Sequence, residues 1–358
     1  MASAAQPTLA STIWSSHLSS HEGAEPPAKR RKLATNLHDT DSALEGGLDY
    51  GSITCISAEA DSGAREFTLA VIASHLLAET DAVATVIDST LSFDIRRLHQ
   101  RLVEALQSRG EVDGQGKGME ALGRLKIMKV FDFIGLTESL TEFREDVEGG
   151  RGVAAVQPSQ RASPTGPKGT IGDSEDEGEE MLDDAPSPSP RQQPAQKAPD
   201  APKDVKESCG LLIIENITQL AAPLLKNNHA QGQALLTSFM RSLSHLTRAN
   251  NLCTLLLNNT TTYAQAKEES PSIFSSCAAR PALGKTFQYA LDVHLLLHVV
   301  PKTAADARAV YGGDQHKRQR QRAEMVSVVE VLQDRRWGRV GRWAPFAVDV
   351  DGRLKDVV

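Results

Sequence analysis

Short apolar runs recur along this chain, and those in its first half alternate with stretches that have the apolar spacing of an amphipathic helix. In one such pair, residues 82–87 form the apolar run and residues 92–106 follow, with Ile95, Leu98 and Leu102 on one helical face. Strands that alternate with helices pair in parallel through right-handed crossovers. The alternation therefore predicts an α/β protein with a mainly parallel central sheet flanked by helices.

The same periodicity sets the order of the predicted elements. Strands are predicted at residues 52–57, 82–87, 125–131, 210–216, 251–258, 291–300, 324–332 and 343–350. Helices are predicted at residues 63–78, 92–106 and 231–248, and in a segment that runs through Phe143. Because we expect the last strands to be joined by loops without helices, they should pair antiparallel at one edge of the sheet.

Composition divides the chain into a tail, a domain and an insertion. Residues 1–36 are rich in Ser, Ala and Pro, which predicts a disordered N-terminal tail. Residues 37–356 should form a single domain, interrupted at 147–207 by an acidic, Pro-rich segment that cannot bury enough apolar surface to order itself. Since the α/β pattern resumes beyond it, we predict a disordered insertion, either phosphorylated at its Ser-Pro sites or acting as an unregulated spacer.

A compact basic run follows two prolines in the predicted tail. It consists of Lys29, Arg30, Arg31 and Lys32, a pattern typical of a nuclear localisation signal, with a solvated charge cluster as the alternative. The net charge of −7 is only weak evidence against DNA binding, because DNA binding needs a local basic patch. The four cysteines form no CxxC pair, and we expect neither a zinc site, a signal peptide nor a membrane span.

The predicted strand at residues 52–57 leads into a short loop and then a helix, which is the arrangement of a phosphate-binding P-loop. In a P-loop, backbone N–H groups surround the phosphates, a lysine neutralises them and a Ser or Thr hydroxyl binds Mg²⁺. The candidate nucleotide-binding residues are Glu59, Asp61, Ser62, Gly63, Ala64 and Arg65. Arg65 either compensates for the missing lysine or lies on a solvated helix start, and the second interpretation is favoured because its position differs from that of the lysine.

The residues before this loop carry a family resemblance. Residues 46–54 (Gly-Gly-Leu-Asp-Tyr-Gly-Ser-Ile-Thr) resemble the Gly-Gly-Ile-x-x-Gly-Ser-Ile-Thr lead-in of eukaryotic RecA-like recombinases. In that family the loop continues Gly-Glu-x-x-x-Gly-Lys-Thr, of which this chain retains Glu59 and Gly63. The first glycine, the lysine and the threonine are replaced by Ala58, Ala64 and Arg65.

Further motifs follow in the family's order. Residues 86–93 resemble its Tyr-Ile-Asp-Thr-Glu-Gly-Thr-Phe segment, with Thr90 at the position of the catalytic glutamate. Glu215 closes a strand that resembles Walker B, where the family has an aspartate. Residues 256–259 resemble its sensor segment and residues 346–354 its closing strand. The resemblance covers about residues 38–146 and 208–356, and it implies a RecA-like P-loop NTPase fold with a degenerate Walker A motif.

The replacements bear on nucleotide chemistry. Losing one or two charge-assisted hydrogen bonds should weaken nucleotide binding by about 10- to 1,000-fold. Without the Mg²⁺-binding hydroxyl and the glutamate, hydrolysis in cis should be negligible. We therefore expect ATP and Mg²⁺ to bind weakly, if a neighbouring subunit does not supply the missing groups in trans.

The resemblance implies a role in homologous recombination. The first hypothesis is a non-catalytic recombinase paralog in the nucleus, a mediator subunit that binds recombinase, other paralogs or single-stranded DNA. The second is an active DNA-dependent ATPase with an atypical site, and the third is a RecA-fold accessory subunit of Elongator. The Gly-Ser-Ile-Thr lead-in and the basic run favour recombination.

The DNA-contacting loops of this family correspond to residues 218–233 and 259–285, which hold few cations here. A stronger basic feature lies further on. The candidate DNA-binding residues are Lys317, Arg318, Arg320, Arg322, Arg335 and Arg336, with Arg339 and Arg342 adding charge around Trp337 and Trp343. An Arg-rich turn with aromatic residues suits single-stranded DNA, whereas an exposed hairpin with ordinary solvated charges is the alternative.

Overall fold

A computed structural model describes residues 31–150, 210–262, 271–312, 323–336 and 338–357. Residues up to Glu148 and from Ser208 onward belong to one compact unit, to which the fold described below refers. Residues 149–207 form a second unit, of which only the first two residues are described. Within the described ranges, no helix combines the length and the apolar content that a bilayer crossing requires.

Twelve strands and nine helices make up the described segments. The strands are β1 (Lys32–Leu33), β2 (Leu48–Asp49), β3 (Ser52–Ala58), β4 (Val83–Asp88), β5 (Leu125–Lys129), β6 (Gly210–Glu215), β7 (Cys253–Thr262), β8 (Ala279–Pro281), β9 (Val293–Pro301), β10 (Met325–Asp334), β11 (Trp343–Val348) and β12 (Leu354–Asp356). The helices are α1 (His38–Ala43), α2 (Ala64–Ala78), α3 (Ile95–Ser108), α4 (Gly114–Leu122), α5 (Phe133–Gly150), α6 (Ile217–Asn227), α7 (His229–Ala249), α8 (Gly284–Gln288) and α9 (Ala304–Tyr311).

The main sheet has the strand order β12-β11-β10-β9-β3-β7-β6-β4-β5. The strands from β9 to β5 in this order pair in parallel, whereas β9, β10, β11 and β12 pair antiparallel at one edge. β8 joins β7 antiparallel, and β1 and β2 form a separate small sheet. This arrangement confirms the predicted α/β class, with its mainly parallel sheet and its antiparallel C-terminal strands.

Helices cover both faces of the sheet, and β6 shows why its sequence is continuously apolar. Leu211 and Ile213 belong to a core on one face, which α2 and α3 also line, while Leu212 and Ile214 belong to the core beneath α5, α6 and α7. Successive side chains of a strand point to opposite faces, so a central strand buried on both sides needs apolar residues at every position.

Two predictions about the connections are wrong. α9 lies between β9 and β10, where we predicted no helix. None of its residues is buried, so the sequence has no apolar periodicity there that would predict a helix. Its first turn is stabilised by the Thr303–Asp306 capping box.

The second wrong prediction concerns the first DNA loop, residues 218–233. α6 occupies much of this stretch, and α7 begins within it. The interior Pro223 disfavours a helix in the sequence, but Ile217 and Leu220 anchor α6 in the core.

The predicted end of the N-terminal tail, at residue 36, is too far along the chain. β1 pairs with β2, and Leu33 is buried in the main core. Two residues of the basic run are thereby part of the fold. Arg31 pairs with Glu79 at 2.5 Å, and Lys32 Nζ donates to Leu44 O at 3.0 Å. Lys29 and Arg30 lie outside the described residues.

Candidate nucleotide and nucleic-acid sites

The P-loop-like segment joins β3 to α2, at the carboxyl end of the parallel strands. Gly63 has a φ of +78° and precedes the first residue of α2. An added Cβ at Gly63 would lie 2.8 Å from Val348 Cγ2 and 3.0 Å from Phe346 Cε2, both in β11. The glycine is therefore required by the fold itself, and its presence does not by itself indicate phosphate binding.

Substituting Gly63 with Ala is expected to lower the free energy of unfolding by about 2–4 kcal/mol, from left-handed backbone strain plus the clash with β11. Gly110 is a matched control, because its φ is +81° and its Cβ would meet nothing within 4 Å. Gly110→Ala should cost only the strain, about 1–2 kcal/mol. Urea unfolding of both variants would measure the difference, and equal losses would contradict the packing role of Gly63.

Glu59 and Ser62 are held within the loop by protein groups. The Ser62 hydroxyl, which is buried, donates to Glu59 O at 2.8 Å. The Val299 N–H of β9 donates to Glu59 Oε2 at 3.3 Å. Asp61 has a φ of +60° and an exposed side chain. The retained glutamate thus fastens the loop to the neighbouring strand.

The two substituted positions open α2. Ala64 brings a methyl group to the position of the lysine, and Arg65 brings an exposed guanidinium to the position of the threonine hydroxyl. Arg65 Nη2 donates to Ser92 Oγ at 3.0 Å, and Ser92 Oγ lies 2.7 Å from Thr90 Oγ1. The arginine therefore bridges to the β4–α3 loop.

The β4–α3 loop is wrapped around the buried carboxylate of Asp88. Asp88 Oδ1 accepts from Thr90 N and Thr90 Oγ1, both at 2.8 Å, and from Leu91 N at 2.9 Å. Asp88 Oδ2 accepts from Phe93 N at 3.2 Å. Thr90, at the position of the catalytic glutamate, thus uses its hydroxyl to fix the loop.

Glu215 ends β6 beside Asp88, its register partner at the end of β4. Burial and the neighbouring Asp88 carboxylate raise the pKa of Glu215, and the Arg65 guanidinium opposes that rise. Two carboxylates thus lie side by side at the carboxyl ends of β4 and β6, and the Arg65 guanidinium acts on that of Glu215.

A hydrogen-bonded chain of polar side chains crosses the same edge of the sheet. His294 Nε2 of β9 lies 2.8 Å from Ser57 Oγ of β3, and Asn258 Nδ2 of β7 donates to that oxygen at 2.8 Å. Thr218 of α6 donates to Asn258 and accepts from the Asn259 N–H. The sensor-like segment is therefore built into a fixed network. In the sequence, the only sign of this network is a polar residue, such as Ser57, within an otherwise apolar run.

These residues do not match the groups that bind Mg-ATP. The loop offers no ammonium to the phosphates and no hydroxyl at the metal position, and Arg65 contacts Ser92. Among the described residues, no group of three or more His, Cys, Asp or Glu side chains is arranged to hold a metal ion. The carboxylates of Glu215 and Asp88 remain, but Asp88 is already engaged by four donors.

The arginine-rich turn after β10 differs from the predicted exposed basic patch. Arg339 is 1% exposed and pairs with Asp49 at 2.8 Å and with Asp334 at 2.7 Å. Arg342 pairs with Glu45 at 3.0 Å. Asp334 is five residues from Arg339, but Asp49 and Glu45 come from a distant part of the chain, so the local sequence could not show those two pairings. The buried ion pairs exclude Arg339 as a DNA contact.

Of the predicted DNA-binding residues, only two are described. Arg336 lies 3.5 Å from Asp292 Oδ1, and the Arg335 guanidinium donates to Tyr289 O. Lys317, Arg318, Arg320 and Arg322 lie outside the described residues, as does Trp337. The second predicted DNA loop, residues 259–285, is described except at residues 263–270. Glu330 Oε1 accepts from Ile273 N at 2.7 Å, which anchors the loop to β10.

Strand order, the P-loop-like junction and the antiparallel edge together define a RecA-like fold. No family model matches the chain, and no curated protein matches it in sequence. Many solved structures match it, among them the crystal structure of the RadB recombinase, with a TM-score of 0.51 and 17% sequence identity. That match covers 91% of this chain and 100% of the other. The likeness shows that the two proteins share the RecA-like fold.

Proposed function

We propose that this protein is a non-catalytic accessory of homologous recombination, a RecA-fold paralog with a degenerate P-loop that binds recombinase partners and single-stranded DNA in the nucleus. The observation that carries the proposal is a complete RecA-like sheet whose phosphate loop presents Ala64 and Arg65 in place of a lysine and a hydroxyl. A fold kept without its catalytic groups suits a protein that acts by binding.

For DNA, the proposal relies on the basic run between β9 and β10. Lys317, Arg318, Arg320 and Arg322 offer closely spaced cations, which is what neutralising a phosphate backbone requires. Arg335 and Arg336, which follow the other end of β10, are further proposed phosphate contacts. Arg336 also pairs with Asp292.

The proposed nuclear localisation relies on Lys29 and Arg30. Arg31 and Lys32 contact Glu79 and Leu44, so a receptor that reads an extended basic segment would find mainly the first two residues. This basic run remains the sequence basis for nuclear localisation.

The partner class is tested by affinity purification of the full chain from cells with damaged DNA. We expect recombinase or recombinase paralogs among the bound proteins. Recovery of Elongator subunits without recombinase would contradict the proposal and favour the role in tRNA modification.

Nucleotide binding separates an adaptor from an active ATPase. We expect the full chain to bind Mg-ATP weakly and Ala64→Lys with Arg65→Thr to bind about 10- to 1,000-fold more tightly, because the lysine and the hydroxyl are restored. Arg96→Thr, which removes an exposed arginine of α3, is the control and should change nothing. Calorimetric titration measures both. Tight binding with DNA-stimulated hydrolysis by the unmodified chain would favour the ATPase instead.

A further inference from the structure

A groove with a basic rim lies along α7, on the face of the sheet opposite to α2. Its volume is about 850 Å³. One wall is a stripe of α7 that runs from Gln233 to Arg248, and the other wall is formed by residues 286–290 and Arg335. At a rise of 1.5 Å per residue the α7 stripe is about 20 Å long, which is the length of roughly four helical turns.

The groove has an apolar floor and short residues along its wall. Leu236 and Met240 of α7 and Phe287 of α8 form the floor and are each only 2% exposed. The apolar surface that a partner can reach therefore lies on the walls, where Tyr289 is 70% exposed and Ala249 is also exposed. Thr237 and Ser244 lie on the α7 stripe, where their small side chains leave room for the ridge of another helix. Exposed apolar surface beside small residues fits the apolar face of an amphipathic helix.

The charge of the groove's rim indicates which charge a binding partner should carry. Three arginines line the groove, and the residues that line it include no Asp or Glu. Arg241 is exposed, Arg248 pairs with the buried Asp292 at 3.1 Å, and Arg335 donates to an uncharged carbonyl. The rim therefore remains positive, in a chain whose net charge is −7.

We propose that this groove is a docking site for an acidic amphipathic helix of a partner protein. The apolar face of that helix would cover Tyr289 and Ala249 above the buried floor, and its Asp or Glu side chains would reach Arg241 and Arg335. A single DNA strand could place phosphates on the arginines and a base on Tyr289, whereas a helix would also cover Ala249 and the small residues of α7, so the observations favour a helix. The inference shares Arg335 with the proposed DNA contacts, but it uses no residue of the P-loop-like junction and is tested separately from nucleotide binding.

The test uses a fluorescent peptide of about 16 residues, long enough to span the groove as a helix, with leucines on one face and glutamates flanking them. Its matched partner carries lysines in place of the glutamates. Fluorescence anisotropy with the full chain should show saturable binding of the acidic peptide and much weaker binding of the basic one. Failure of the acidic peptide to bind would overturn the proposal.

Variants of the full chain locate the binding. Arg241→Glu should weaken binding of the acidic peptide by about tenfold, which corresponds to 1.4 kcal/mol, and added salt should reduce the difference. Ser244→Trp should abolish binding by filling the groove. Arg96→Glu makes the same charge reversal on an exposed arginine of α3 and should have no effect.

The remaining outcomes contradict the proposal. Equal affinities for Arg241→Glu and Arg96→Glu would place the peptide elsewhere on the protein. Displacement of the peptide by an oligothymidylate strand would assign the groove to single-stranded DNA. Thermal melts of each variant show that it folds, so that a loss of binding reports on the groove.

Discussion

Replacing Arg339 with Met is expected to lower the free energy of unfolding by about 3–5 kcal/mol, because it removes a buried guanidinium that two buried carboxylates share. Arg339 Nη2 lies 2.8 Å from Asp49 Oδ2, and its Nε lies 2.7 Å from Asp334 Oδ2. All three side chains are at most 2% exposed. The guanidinium also donates to Leu44 O, so one side chain ties the segment before β3 to the turn after β10.

Arg342→Met is the matched control, because Arg342 also pairs with a carboxylate but is 47% exposed. An exposed pair contributes about 0–1 kcal/mol, so this variant should unfold close to the wild type. Urea unfolding followed by circular dichroism measures both. If the two variants lost equal stability, the buried triad would not have the role assigned to it.

Acidification is expected to destabilise the protein through two buried neutral histidines. Burial lowers the pKa of His75 from 6.5 to about 4, and burial lowers the pKa of His294 to about 4 as well. Between these values the unfolded chain binds protons that the folded chain does not. Stability should therefore fall as the pH drops from 6.5 towards 4, by about 3 kcal/mol for each histidine, and further acid adds little through these groups.

The hydrogen bonds of His75 identify its neutral form. Its Nε2 lies 3.0 Å from Val83 O, which can only accept, so Nε2 carries the proton. Nδ1 then accepts from the Tyr50 hydroxyl at 2.9 Å. A second proton on the ring would face a hydroxyl donor and the nearby charges of Arg31 and Arg124, which also lower the pKa.

Replacing the buried histidines separates their effect from that of the carboxylates. His294→Leu should lose less stability between pH 6.5 and 4 than the wild type does, even if it is less stable at pH 7. His229→Gln, on an exposed residue of α7, should leave the dependence unchanged. For His298, burial lowers the pKa, but Cys277 and Glu330 raise it to about 9, so it stays charged throughout this range. An unaltered slope in His294→Leu would contradict the prediction.

The parallel sheet could be predicted because its strands carry their own signature. Leu211–Ile214 are apolar at every position, as a strand buried on both faces requires, and the helices between the strands have a clear period. α9 has no buried residue, so its sequence lacks the apolar periodicity that would predict a helix there. The strand-to-helix junction at Gly63 could be predicted as well, but not the reason that the glycine is there.

Pairings between distant residues were beyond the local sequence. The turn that contains Arg335, Arg336 and Arg339 has the composition of a nucleic-acid contact, yet two of its carboxylate partners, Asp49 and Asp292, lie in β2 and before β9. Similarly, the sequence identifies Thr90 and Arg65 only as residues at the positions of the family's catalytic glutamate and threonine. The contacts through which they fix the β4–α3 loop depend on the folded chain.

The position of β3 has a consequence for synthesis. Its two neighbours in the sheet, β7 and β9, both come from the last third of the chain. During translation β3 leaves the ribosome long before either neighbouring strand is made. Until then its backbone N–H and C=O groups are unpaired and its apolar side chains are exposed to solvent. Such distant pairing slows folding and exposes the nascent chain to aggregation. The newly made protein should therefore depend on chaperones until its final strands emerge.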